Sequence, residues 1–201
     1  TTEIYTLSLH DALPIYENRD RIGAFVASAV GGVTSYYELL WDFFQTGDAR
    51  AVTPFAVPML MGNGGSALVS IDYGMTGPSY VLTSACASGT DSIGHAYDMI
   101  RLGRLDAAVT GAGEAPILPI SIAAFDRIGA CSRDNDKPAQ AVRPFSKDRS
   151  GLAFAEGAGV LVLEELEFAK ARGAVILGEV VGYAATSDSH HITAPHPSGA
   201  G

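Results

Sequence analysis

Between Ile22 and Val181 short apolar runs alternate with amphipathic spans, and glycine or proline stands at most of the junctions. A chain that keeps switching between a period of two and a period near 3.6 builds a sheet covered by helices. Strands are predicted over Ile22–Val30, Ser79–Ala85, Ala107–Thr110, Val160–Glu164 and Val175–Val181. Helices are predicted over Tyr36–Phe44 with a stop at Gly47, Met59–Ile71, Gly89–Leu102 with Gly103 as cap, Ile117–Ile128 after Pro116, and Glu165–Arg172. The polar stretch Ser132–Arg149 is predicted as a long loop, a feature chains keep mainly at functional sites. The alternation predicts an α/β fold with a mostly parallel sheet covered on both faces.

Composition narrows the function classes. The 201 residues carry a formal charge of −9, which argues against a nucleic-acid or anionic-membrane surface, where Lys and Arg must dominate. Apolar residues make up 47%, enough for a packed core, yet no run approaches the roughly 18 apolar residues of a membrane span. Two cysteines, Cys86 and Cys131, are too few for a disulfide framework and suit a reducing cytoplasm.

Residues Thr1–Ile15 read poorly as the entry to a domain. They have no basic n-region and no apolar run, so they are not a signal peptide. Codon by codon, in one frame, they can be back-translated into a string that resembles a widely used short-read sequencing adapter. They are read as a non-native read-through segment, which removes His10 and Asp11 from any catalytic reading and leaves 16–201 as the native domain. The Pro-rich end at Gly201 reads as open, so a longer parent is expected at both ends.

The chemistry-bearing site is Thr83–Gly89, TSACASG. A β-rich run ends at Ala85, small residues flank Cys86, and an amphipathic helix follows at once. This is the sulfur counterpart of a nucleophile elbow, where a sharp strand-to-helix turn exposes the nucleophile and its neighbours must be small. The helix start brings unpaired N–H groups and partial positive charge to the sulfur, which favours a thiolate and offers donors to an oxyanion. The alternative is a structural buried cysteine, and turn context alone leaves both readings open.

From Arg21 onward the chain resembles the N-terminal half of elongating β-ketoacyl-acyl carrier protein synthases of the thiolase-like superfamily. The matching pieces stand in family order: RIGAFVASAVGG, TPFAVP, YGMTGPSYVLTSACASG, IGHAYDMIRLGRLDAAVTGAGEA, SRDNDKPAQAVRPFSKDRSG, EGAGVLVLEELEFAKARGA and VGYAATSDSHHIT. The resemblance implies a thiolase-like layered α/β/α/β/α fold, incomplete here, with most of the first half present. It implies Cys86 as the acyl-accepting nucleophile, Val30 and Phe125 in the acyl pocket, Ala56 and Val57 approaching a partner's pocket, and Thr193 near the pantetheine and malonyl entrance. It also implies a homodimer or ketosynthase heterodimer in which the strand before Cys86 pairs across the two-fold. Acyl carrier protein and acyl and malonyl thioesters are the implied partners. No cofactor is implied beyond phosphopantetheine delivered on the carrier, and no metal. Val30 and Ala56 depart from the larger residues of some fatty-acid members, and Ala194 replaces a hydroxyl residue. The family's two catalytic histidines fall beyond Gly201, so His95, His190, His191 and His196 are not those residues.

The implied activity is decarboxylative Claisen condensation in fatty-acid or polyketide synthesis, with the isolated chain expected to be inactive. Two rivals are a type II polyketide ketosynthase, toward which EAPILPISIAAFD leans, and a non-catalytic chain-length partner, which Cys86 disfavours. Other motifs carry less. Gly62–Ala67 fits a dinucleotide pattern but lacks the preceding strand and the following acid. Gly111-Ala112-Gly113 lacks its third small residue. His190, His191 and His196 lack the spacing of metal sites. Cys131 reads as structural, and the charges of Glu164–Arg172 as a solvated helix face.

Overall fold

The computed structural model describes the backbone of residues 2–5 together with residues 18–201. The adapter reading of Thr1–Ile15, and with it His10 and Asp11, lies outside the described residues apart from 2–5. Strands β1 (Thr2–Tyr5), β2 (Ile22–Ala27), β3 (Ala107–Glu114), β4 (Gly157–Glu165) and β5 (Gly178–Val180) form one sheet in the order β2-β3-β4-β1-β5. Among the described residues the helices are α1 (Val33–Thr46), α2 (Ala56–Leu60), α3 (Gly64–Tyr73), α4 (Ser88–Arg101), α5 (Pro119–Arg127) and α6 (Leu166–Ala171).

The expected mostly parallel sheet is corrected. β2 and β3 run parallel, whereas β3–β4, β4–β1 and β1–β5 are antiparallel. The parallel pair is joined by a crossover through α1–α4. The connection from β3 through α5 and the long loop returns β4 against its direction.

Alternation along the strands sends side chains to two cores. Ile22, Ala24, Ala107, Val109 and Val162 pack with Val69 and Tyr73 of α3 and with Phe168 and Ala169 of α6. Phe25, Ala108 and Leu163 pack with Ala96, Tyr97, Met99 and Ile100 of α4. Both faces are therefore covered, as expected, and the α/β assignment holds.

Two predicted elements change. Met59–Ile71 is not one helix: α2 ends at Leu60 and α3 starts at Gly64, with Gly62 and Gly64 in or beside the break. Ser79–Ala85 is not a strand but an irregular segment whose backbone pairs with β2 at the Ala24–Ser79 bridge. The Ser66 hydroxyl explains where the pairing stops. It accepts the Val26 N–H at 2.8 Å and lies 3.2 Å from the Val26 carbonyl, satisfying groups a longer ladder would have used. Gly32 admits α2 beside β2's end: a Cβ there would stand 1.7 Å from the Met59 carbonyl oxygen.

Thr2–Tyr5, set aside on the adapter reading, occupies the slot between β4 and β5. A ladder is made of backbone groups, so an edge accepts any extended segment of suitable length.

Candidate active site

Cys86 sits in a 3-10 turn, Ala85–Ala87, that runs directly into α4. The thiol is exposed, whereas Cys131 is half-buried with its Sγ 3.9 Å from the Ile122 carbonyl. Ala85 is at φ +54°, a left-handed conformation that costs an L-residue on the order of 1–3 kcal/mol and persists only where neighbours hold it. The neighbours that hold it are serines. The Ser84 amide donates to Ser88 Oγ at 2.9 Å, and Ser88 Oγ donates to the Ala85 carbonyl at 2.7 Å. Ser88 itself is buried.

The expected array of unpaired amides is partly occupied. Ala87 N–H bonds the Ser84 carbonyl at 3.2 Å, and Ser88 N–H bonds the Ala85 carbonyl. Bonds of this 3-10 type have poor geometry and yield to a better acceptor.

Asp91, in the first turn of α4, accepts a short hydrogen bond from Ser84 Oγ and one of 2.7 Å from the Tyr183 hydroxyl. The Ser84 bond first, and the Tyr183 bond second, hold its carboxyl below the usual carboxylate range. The same Asp91 bond raises the Tyr183 phenol above its ordinary value. One turn further along α4, His95 Nε2 lies 2.7 Å from the Tyr80 hydroxyl, and burial lowers the imidazole's pKa.

The other residues implied by resemblance lie on separate segments. Val30 is exposed just past β2, and Ala56 opens α2 with Val57 exposed beside it. Phe125 lies on α5, edge-to-face with Phe154 at 4.9 Å between centroids. Thr193 lies in the loop after β5, its amide donating to His191 Nδ1 at 3.1 Å. Among the described residues no hydrogen bond or ring contact joins any of these to Cys86. A cavity of about 550 Å3 is lined by Ser28, Gly31, Met59, Leu68, Glu114 and Glu156 among others, and by none of Cys86, Val30, Phe125 or Thr193.

The histidines organise the loop after β5. His190 and His196 stack edge-on at 4.9 Å, and the His196 amide donates to Asp188 at 2.9 Å. No cluster of three His, Cys, Asp or Glu side chains suited to a metal occurs among the described residues. Arg143 organises the Ser132–Arg149 loop, pairing with Asp134 at 2.7 Å and lying 3.5 Å from Asp148. Sequence reasoning passed over Ser84, Asp91 and Tyr183. The signal that could have found them is Gly94, an odd residue inside an amphipathic helix.

A cysteine at a strained turn before a helix is the arrangement on which comparison with known proteins bears. The model of the β-ketoacyl synthase N-terminal domain matches residues 8–169. The chain belongs to the β-ketoacyl synthase family. A 3-oxoacyl-[acyl-carrier-protein] synthase 2 of Staphylococcus aureus is 46% identical over 190 residues, 94% of this chain and 47% of that protein. The enzyme of the same name from Synechocystis sp. is 44% identical over 184 residues, 92% of this chain and 44% of that one. Among solved structures, a type II polyketide synthase acyl-carrier protein in complex with its ketosynthase bound to the hexaketide superposes with a TM-score of 0.84. That match has 32% identity and covers 90% of this chain and 46% of that one. The chain thus spans about half the length of the curated relatives it matches. The ketosynthase fold expected from the sequence is borne out, with under half of the relatives' length represented. Cys86, Val30 and Phe125 fall inside the family match, and Thr193 lies beyond it.

Proposed function

We propose that this chain supplies the acyl-accepting half of a β-ketoacyl-acyl carrier protein synthase, with Cys86 as the nucleophile. The observation that carries the reading is the exposed Cys86 at a left-handed Ala85 immediately before α4, within a chain of this family. A strained residue beside a presented thiol is what a nucleophile turn requires.

In the first step the Cys86 sulfur attacks the carbonyl carbon of an acyl thioester. The tetrahedral oxyanion collapses with loss of the carrier's pantetheine thiolate, leaving the acyl group on sulfur. In the second, a malonyl thioester loses carbon dioxide and its enolate carbon attacks that acyl carbon. A carbon–carbon bond forms, the carbon–sulfur bond to Cys86 breaks, and a β-ketoacyl thioester leaves. Amides near the turn stabilise the developing oxyanion, and confinement of both thioesters supplies proximity. Phosphopantetheine arrives on the acyl carrier protein. The described residues contain no helix long and apolar enough to cross a membrane, and the proposed location is the cytoplasm.

Two pathways fit. Likeness to the synthases of Staphylococcus aureus and Synechocystis favours fatty-acid elongation, and likeness to the ketosynthase in the polyketide complex favours type II polyketide extension. The complete protein is assayed with acyl carrier protein loaded with octanoate or with malonate. Intact mass should show one octanoyl adduct, located on Cys86, and none in Cys86→Ala. An adduct retained by Cys86→Ala overturns the assignment.

A further inference from the structure

Tyr183 follows β5 and lies against α4 at Gly94. Any Cβ at Gly94 would stand 2.1 to 2.4 Å from three carbons of the Tyr183 ring, so the helix keeps a glycine where the ring crosses it. An interior glycine costs a helix about 1 kcal/mol relative to alanine. That cost is offset here by what the crossing allows. The phenol donates to Asp91, one turn earlier, at 2.7 Å, and the other Asp91 oxygen accepts a hydrogen bond from the Ser84 hydroxyl. Ser84 is the residue before Ala85, and its amide anchors to Ser88 Oγ, which in turn binds the Ala85 carbonyl. A continuous chain of hydrogen bonds therefore runs from the β5 side of the sheet to the left-handed residue beside the nucleophile. Both oxygens of the Asp91 carboxylate are occupied by it. The carboxylate also lies in the first turn of α4, where the helix N-terminus favours negative charge.

We propose that Tyr183, Asp91 and Ser84 form one positioning relay that fixes the Ala85–Cys86 turn in its acyl-accepting conformation. The relay rests on the reading of Cys86 as the acyl acceptor. Tyr183 and Asp91 touch no reacting atom; they act through Ser84. A residue held in a sparsely populated conformation needs surroundings that over-determine it, and removing one link releases the turn.

The test uses the complete protein with Tyr183→Phe, Asp91→Asn and the double variant. The first readout is single-turnover octanoyl transfer to Cys86 from octanoyl-acyl carrier protein. The maximal rate should fall about tenfold in each single variant, the scale of one hydrogen bond to a charged group. The half-saturating carrier concentration should stay within about twofold, because the carrier's contacts are untouched. The double variant should lose no more than the singles, since links in one relay are not additive. Losses that multiply, or a Tyr183→Phe rate equal to wild type, overturn the relay. The second readout needs no acyl transfer: in Tyr183→Phe the iodoacetamide rate of Cys86 itself should fall while that of Cys131 stays unchanged. General loosening would instead raise Cys131 labelling, and an unchanged Cys86 rate counts against the relay. A wild-type protein that takes up no octanoyl group, while the Cys86 labelling rate still responds to Tyr183→Phe, refutes the acyl-acceptor reading and leaves the relay standing.

Discussion

Arg172 clasps Glu164 with two guanidinium nitrogens, Nε to Oε1 at 2.8 Å and a terminal nitrogen to Oε2, and the carboxylate it holds has no solvent exposure. Glu164 belongs to β4 and Arg172 follows α6, so the pair ties the helix's far end to the sheet. Taking one partner from a buried pair leaves an uncompensated charge. Arg172→Met should therefore destabilise the complete protein by about 3–5 kcal/mol. The companion Glu164→Gln/Arg172→Met, which removes both charges, should recover part of that loss. Chemical denaturation of the three proteins measures both effects, and an Arg172→Met loss under about 1 kcal/mol would show the pair to be worth no more than a surface one.

This pair also shows where sequence reading stops. Charges over 164–172 match a solvated helix face in pattern, yet Glu164 is the strand residue that points inward and Arg172 curls back to it. Local periodicity reports which face a residue shares with its neighbours and says nothing of a partner supplied by the fold. Where the burial partner is regular, the sequence was legible: α1 ends at Gly47 in a left-handed cap, and α4 presents Ala96, Tyr97 and Ile100 to the sheet as its spacing demanded. Ser79–Ala85 has strand composition but finds one bridge, because Ser66 satisfies the next groups of β2. The direction of β4 was equally out of reach, since alternation of elements fixes neither the length nor the path of the connection before it. At the site, the turn that exposes Cys86 was readable within seven residues. The Tyr183–Asp91 bond spans 92 positions and left only Gly94 as its trace.

The two cysteines supply an internal comparison. Cys86 is exposed on its turn, and Cys131 is half-buried against the Ile122 carbonyl. In the complete protein, iodoacetamide or a cerulenin-type epoxide should modify Cys86 at least about tenfold faster, reactivity following accessibility and local electrostatics. Peptide mapping after short exposure gives both rates. Equal modification would remove the case for a presented nucleophile.

Val30 stands just past β2 with 53% of its surface open, next to Gly31 in the cavity wall. The resemblance implies that it would line the acyl pocket, where its small side chain would leave room for medium or long primers. Val30→Phe should shorten the acyl chains the complete synthase accepts, since overpacking an apolar site costs about 1–3 kcal/mol. Product chain length by mass spectrometry checks it. Unchanged products in that variant would place Val30 outside the pocket.

The final prediction concerns the 201-residue chain by itself. Trp41, Phe44, Phe55 and Ile71, on α1, beside α2 and on α3, are 60%, 76%, 67% and 73% exposed. Apolar surface of this extent is rare on a monomer and favours association, against a stability of about 5–15 kcal/mol in an ordinary domain. The chain also spans under half of the synthases it resembles, and by that resemblance the histidines that assist decarboxylation are not among its residues. Analytical ultracentrifugation should therefore find oligomers or aggregates. Condensation of malonyl and octanoyl thioesters should be absent, because the step lacks its proton and charge partners. A monomer that melts cooperatively and condenses both thioesters would refute the incompleteness of the fold and the assignment of that chemistry to residues outside this sequence.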